Sequence, residues 1–170
     1  MIMSIPLQAR RVELLQGMPI FGGIRGDALE LLLEQASIVE VARDAYFFRE
    51  GDQAQAMYVL ESGRAAVLKD WGGEPFLLHY LRAGDCLGEM ALMDLFPRSA
   101  SVRAVQDCCA IELTPTDMLR LAQSDMEQFA LIQMNLGREV SRRLRATDEL
   151  LFATRQGSAE LGHDTVFRSH

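Results

Sequence analysis

The apolar positions change period twice along the chain. Leu7, Arg11, Leu14, Leu15 and Met18 follow a helix-like spacing. Gly17, Pro19, Gly22 and Gly23 then break it. A second helix is predicted over about residues 27–36, with Leu29, Leu32, Leu33 and Ala36 on its buried stripe. From Ser37 to Leu113 the period shortens toward two. Short apolar runs at 38–41, 45–48, 57–60, 65–68, 76–80 and 101–105 alternate with glycine-containing turns. Such regular spacing predicts an antiparallel sandwich or barrel. Gly72-Gly73 is the strongest hairpin signal, because both glycines tolerate positive φ.

Helical spacing then returns. Thr114 can cap, Pro115 suits the first helical position, and Asp117 can reach the N-terminal amides. Ser124 and Glu127 form a second capping-box pattern. The helix that follows contains no proline and one isolated glycine, Gly137. It is expected over about residues 124–152, roughly 40 Å at 1.5 Å per residue. Phe129, Ile132, Leu136, Val140, Leu144, Thr147 and Leu151 line one stripe of it. A small β core cannot cover that whole stripe, so a twofold partner helix is expected to cover the remainder. The domain is thus expected over residues 1–152, and residues 153–170 as a flexible tail.

Composition narrows the classes. A chain of 170 residues, 49% hydrophobic, can build one well-buried core. Its net charge of -7 disfavours diffuse attraction to nucleic acid or anionic lipid. An anionic ligand would need a local positive site. The sequence shows no secretory h-region and no membrane-length apolar run, so a cytoplasmic protein is expected. Cys86, Cys108 and Cys109 lack metal-ligand spacing, and no metal is expected.

The chemistry is concentrated in residues 84–104. Gly88-Glu89 opens a short apolar helical segment, Met90-Ala91-Leu92, and Arg98-Ser99-Ala100 precedes a strand. Backbone N–H groups in such a turn can cradle an anion. Arg98 adds a fork-shaped donor matched to phosphate oxygens, and Ser99 adds a hydroxyl. Glu89 offers an acceptor suited to a sugar hydroxyl. Ser99 has no evident His and acid in support, so nucleophilic catalysis is not expected and the chain is read as a binding module. His79, in an alternating strand, is read as structural.

This segment resembles the phosphate-binding cassette of cyclic-nucleotide-binding domains. The resemblance extends to residues 14–21, Phe48-Arg49-Glu50-Gly51-Asp52 and Tyr58-Val59-Leu60-Glu61-Ser62-Gly63, and covers roughly residues 14–151. It implies a mainly β fold with flanking helices: an antiparallel double-stranded β-helix, jelly-roll-like, followed by a long C-terminal helix. It also implies that Glu89 accepts from the ribose 2′-hydroxyl. Arg98 and Ser99 would hold the cyclic phosphate, Gly88 would permit the close turn, and Ala100 would keep the pocket clear.

Residues 141–149 are similar to the central helix of the bacterial catabolite activator's sensor domain. Thr147 matches a threonine that meets the adenine amino edge there. Asp148 stands where that family member has a serine reaching the ligand of the partner subunit. The implied ligand is cyclic AMP, with cyclic GMP or cyclic di-GMP as alternatives, or a scaffold of the same fold that no longer binds nucleotide. The implied partners are a second copy through the long helix and an unidentified protein that reads occupancy. Only 19 residues follow Leu151, too few for the activator's DNA-binding domain, and no nucleic-acid or membrane contact is expected. Arg138, Arg142, Arg143 and Arg145 are assigned to pairing within and between helices.

Overall fold

The computed structural model describes residues 7–94 and 96–166 of the 170. Helix α1 (Leu7–Gln16), a 3-10 turn (Pro19–Phe21) and α2 (Gly26–Leu33) precede the β region. Eight strands follow: β1 (Ser37–Val41), β2 (Tyr46–Phe48), β3 (Met57–Ser62), β4 (Arg64–Trp71), β5 (Glu74–Arg82), β6 (Cys86–Leu87), β7 (Ser101–Ala104) and β8 (Cys108–Leu113). A 3-10 segment (Glu89–Leu92) lies between β6 and β7. Helices α3 (Pro115–Ser124) and α4 (Met126–Val166) close the described chain.

The strands form two separate four-stranded sheets, in the orders β1-β8-β3-β6 and β2-β7-β4-β5. All their pairings are antiparallel, as the period-two pattern requires. Hydrogen bonding does not close the two sheets into one barrel. The first sheet shares a core with the helices: Leu15, Phe21, Leu29, Met57, Val59, Ile111, Leu121, Ile132 and Leu136 pack together. A second cluster lies between the sheets and includes Leu60, Ala65, Leu81, Leu87, Val102 and Ala110.

The capping expectations split. Thr114 accepts from the Asp117 N–H, and Asp117 accepts from the Thr114 N–H, a complete capping box on α3. Ser124 instead ends α3. The residue that caps α4 is Asp125, whose Oδ1 accepts from the Gln128 N–H at 3.1 Å. The long helix also does not stop near 152. It runs to Val166, about 60 Å, and the segment expected as a flexible tail from 153 is helical to that point. No proline interrupts the helix after Leu151, and Gly157 and Gly162 lie within it without ending it. Residues 167–170 lie outside the described set.

Two halves of α4 differ. Up to residue 140 it packs on the domain. Gln128 accepts from the Arg25 N–H at 2.8 Å, and Asn135 Nδ2 donates to the carbonyls of Ile20 and Gly22 at 3.1 and 2.9 Å. From 141 to 156 every residue is exposed, Leu144 and Leu151 among them.

Candidate functional site

The site begins with a backbone requirement. Gly88, at the end of β6, has φ of +71°. A Cβ there would stand 2.2 Å from Arg98 Nη1 and 3.3 Å from Phe48 Cε1. Only glycine meets both the left-handed conformation and the close approach. The Glu89–Leu92 turn starts directly after it, which carries Glu89 inward to 4% exposure.

Arg98 is 7% exposed. Its Nη2 donates to the Ala56 carbonyl at 2.6 Å and its Nη1 to the Gly88 carbonyl at 3.2 Å. The guanidinium lies 3.9 Å from the Phe48 ring centroid, a cation–π contact. Among the described residues its Nε has no acceptor. Burial lowers the Arg98 pKa, against the raising influence of Tyr58, Asp52 and Glu89. Even lowered, an arginine keeps its charge at neutral pH. The result is a buried cation, oriented by the fold, that is short of one acceptor.

Arg98 and Glu89 share a cavity of about 690 Å³. Of the residues assigned from the sequence, Gly88, Glu89, Met90, Arg98, Ser99, Ala100 and Thr147 line it. Ala91 lies on the turn beside them, and its side chain is outside the described set. Asp148 does not line the cavity; it is exposed on α4. Adjacent helix residues point about 100° apart, so Thr147 and its neighbour cannot both face one wall.

Sequence reasoning missed several lining residues. The sequence pattern assigns Arg143 to helix pairing, and it does pair with Glu139 on the same helix at 3.2 Å. It also makes a close ion pair with Glu89 across the cavity wall. The signal was available, since Arg143 stands one turn before Thr147 on the same face. Phe48, Leu78 and His79 also line the cavity. His79 follows the irregularity that shifts the β4–β5 register between Val67 and Leu68, and such shifts are not legible in a period-two pattern.

The charges here act as a set. Burial pushes the Glu139 carboxyl up, but Arg142 and Arg143 outweigh it and hold the group below the usual carboxylate range. Burial first, and the Glu89 charge second, push the Cys86 thiol up to about 12. Among the described residues no cluster of His, Cys, Asp or Glu could hold a metal ion. None of the described helices is long and apolar enough to cross a membrane.

A family model described as the cyclic nucleotide-binding domain matches residues 38–125. The chain belongs to that family. The match spans β1 to the start of α4 and includes the Gly88–Ala100 segment. This cyclic nucleotide-binding domain is 32% identical to the cyclic AMP receptor protein of Thermus thermophilus over 135 residues, 79% of this chain and 61% of the relative. It is 32% identical to the cAMP-activated global transcriptional regulator CRP of Salmonella typhimurium over 123 residues, 71% of this chain and 57% of that one. The crystal structure of the Thermus thermophilus catabolite activator protein superposes with a TM-score of 0.72 at 31% identity, covering 81% of this chain and 63% of that one. The chain thus spans about three fifths of these relatives. The matched region is a cyclic-nucleotide-binding sensor module related to those regulators, and it is a regulatory domain, not a catalytic one.

Proposed function

We propose that the cavity binds cyclic AMP and that occupancy is passed to a protein partner. The observation that carries this reading is Arg98: a nine-tenths-buried guanidinium with an unsatisfied Nε, set beside a left-handed glycine turn in a cavity wall. A buried cation is costly unless an anion or acceptor completes it. A singly charged cyclic phosphodiester would do so, with Ser99 donating alongside. Glu89 would accept from the ribose hydroxyl while still paired with Arg143.

Thr147 supports adenine over guanine. Its hydroxyl donates to the Arg143 carbonyl at 2.9 Å, so the proton is already committed. The oxygen that remains can only accept. It suits the 6-amino group of adenine and not the 6-oxo group of guanine. Asp148 would then act toward a second copy, because it lines no part of this cavity.

The exposed half of α4 supports a homodimer. Leu144 and Leu151 continue the stripe whose earlier members fill the core, and a second copy of the helix would cover them. The two sheets are read as the facing layers of a jelly roll, and the protein as a cytoplasmic regulator. The test is calorimetric titration with cyclic AMP, cyclic GMP and cyclic di-GMP. Tightest binding of cyclic AMP is expected. Heat from none of the three would leave the alternative of a scaffold without ligand, and equal affinity for the first two would remove the role given to Thr147.

A further inference from the structure

Behind the anion end of the cavity lies a second charged group that lines no part of it. Lys69, on β4, extends its ammonium to the Ser99 carbonyl at 2.7 Å. The same ammonium makes a close ion pair with Glu50. The other Glu50 oxygen accepts from the Asp70 N–H at 3.0 Å, and the Glu50 N–H donates to Ser101 Oγ at 2.8 Å. The Lys69 ammonium, followed by the Asp70 N–H, holds the Glu50 carboxyl below its ordinary range. Next to this network, the Gly51 N–H donates to the Arg98 carbonyl at 2.9 Å, and the Arg98 N–H donates to the Asp52 carbonyl at 2.8 Å. Residues 98, 99 and 101 are therefore each tied from outside the cavity.

We propose that Lys69 is a positioning residue for the anion-binding turn, acting through the Ser99–Ala100 peptide. The peptide is trans, so its carbonyl and its N–H point in opposite directions. Lys69 holds the carbonyl from outside, while Ser99 and Ala100 line the cavity. The Ala100 N–H is thereby turned away from Lys69, toward the cavity side. A cation on the carbonyl also polarises the peptide and makes that N–H a stronger donor. The turn is ordered before ligand arrives, so binding need not order it. Glu50 holds the ammonium in place.

This inference rests on the reading of the cavity as a cyclic-nucleotide site. The probe is cyclic AMP, titrated by calorimetry into wild type, K69M, K69R and E50Q. K69M is expected to weaken binding about tenfold, K69R to restore most of that, and E50Q to weaken it about threefold. A bare attractive charge would fade with salt, whereas a positioned peptide would not. The K69M loss is therefore expected to persist from about 0.05 M to 0.5 M salt. The Ala100 amide ¹⁵N resonance is expected to move in K69M and E50Q. Folded K69M binding within twofold of wild type overturns the inference, as does a loss that vanishes at high salt. If K69M does not fold, unchanged affinity and an unchanged Ala100 resonance in E50Q overturn it instead. Wild-type protein that binds no cyclic nucleotide removes the ligand reading itself, a result distinct from all of these.

Discussion

Helix α4 contains two regions of similar periodicity and opposite fate. Its first half sends Ile132 and Leu136 into the core and buries Gln128 and Asn135 against the N-terminal turns. Its second half carries Leu144, Leu150, Leu151 and Phe152, all exposed. The cavity takes its Arg98 end from the β region, held by backbone hydrogen bonds, and its helix wall from Arg143 and Thr147 in the exposed half. Helical spacing alone does not say whether an apolar stripe is buried; the neighbour across from it does. The Arg98 end is fixed by backbone hydrogen bonds from Gly51 and to Asp52, whereas the helix wall is joined across the cavity by the side-chain pair Glu89–Arg143.

The largest effect is expected at the Arg98 end. Arg98→Ala should cost on the order of 2–5 kcal/mol of cyclic AMP affinity, by calorimetry on protein whose fold is checked by circular dichroism. Arg98→Lys should recover little, since lysine cannot reach the Ala56 and Gly88 carbonyls and the phosphate together. Folded Arg98→Ala that binds within twofold of wild type would show the anion end to be misplaced.

The exposed half is tested next. Leu144→Asp with Leu151→Asp places two charges in the stripe of each helix and should dissociate a dimer at micromolar protein. Light scattering should give a dimer mass for wild type and 19.0 kDa for the variant. Wild type that already runs at 19.0 kDa, with and without nucleotide, removes the partner helix from the account.

Asn135→Ala tests the packed half. It leaves the Ile20 and Gly22 carbonyls without their donor and should cost about 2 kcal/mol of stability in urea unfolding. Cyclic AMP affinity should stay within about twofold, because Asn135 lies away from the cavity lining. An unchanged unfolding midpoint would assign the grip on this half to Ile132 and Leu136 alone. Glu89→Gln is expected to be milder for affinity, about 1 kcal/mol, since the amide oxygen still accepts from a ribose hydroxyl while the ion pair with Arg143 is lost. A loss as large as that of Arg98→Ala would make the Glu89 turn, not Arg98, the main ligand anchor.

The smallest effect is a pH dependence at Cys86, in the cavity lining. The Cys86 thiol, ordinarily 9.0, is pushed up to about 12 in the folded protein. The unfolded chain therefore releases this proton first as pH rises. The contribution is fully present below 9.0 and declines as pH rises toward about 12. Cys86→Ser should show a shallower loss of stability than wild type above about pH 9; parallel curves would mean that Cys86 is not held neutral by its surroundings.

Much of this was legible along the chain because it rests on local rules. The strand runs, the α3 capping box and the Gly88–Glu89 and Arg98–Ser99 pairs are set by neighbours within a few residues. The missed features rest on long-range contact. Arg143 meets Glu89 across 54 positions, and Lys69 meets Ser99 across 30. Ala56 serves Arg98 through a backbone carbonyl, which any residue could supply, so its identity carried no signal.

The pattern of residues by itself determined that this chain forms antiparallel strands between helices and a glycine turn at Gly88–Glu89, because periodicity and turn chemistry act over one or two turns of chain. Only the tertiary structure decided that residues 98 and 99 are tied by Gly51, Asp52 and Lys69, that Glu89 is paired, and that residues 141–156 of a continuous helix stay exposed. Those outcomes depend on which surfaces meet in space, and elements far apart in sequence meet only once the two sheets and the helices have packed.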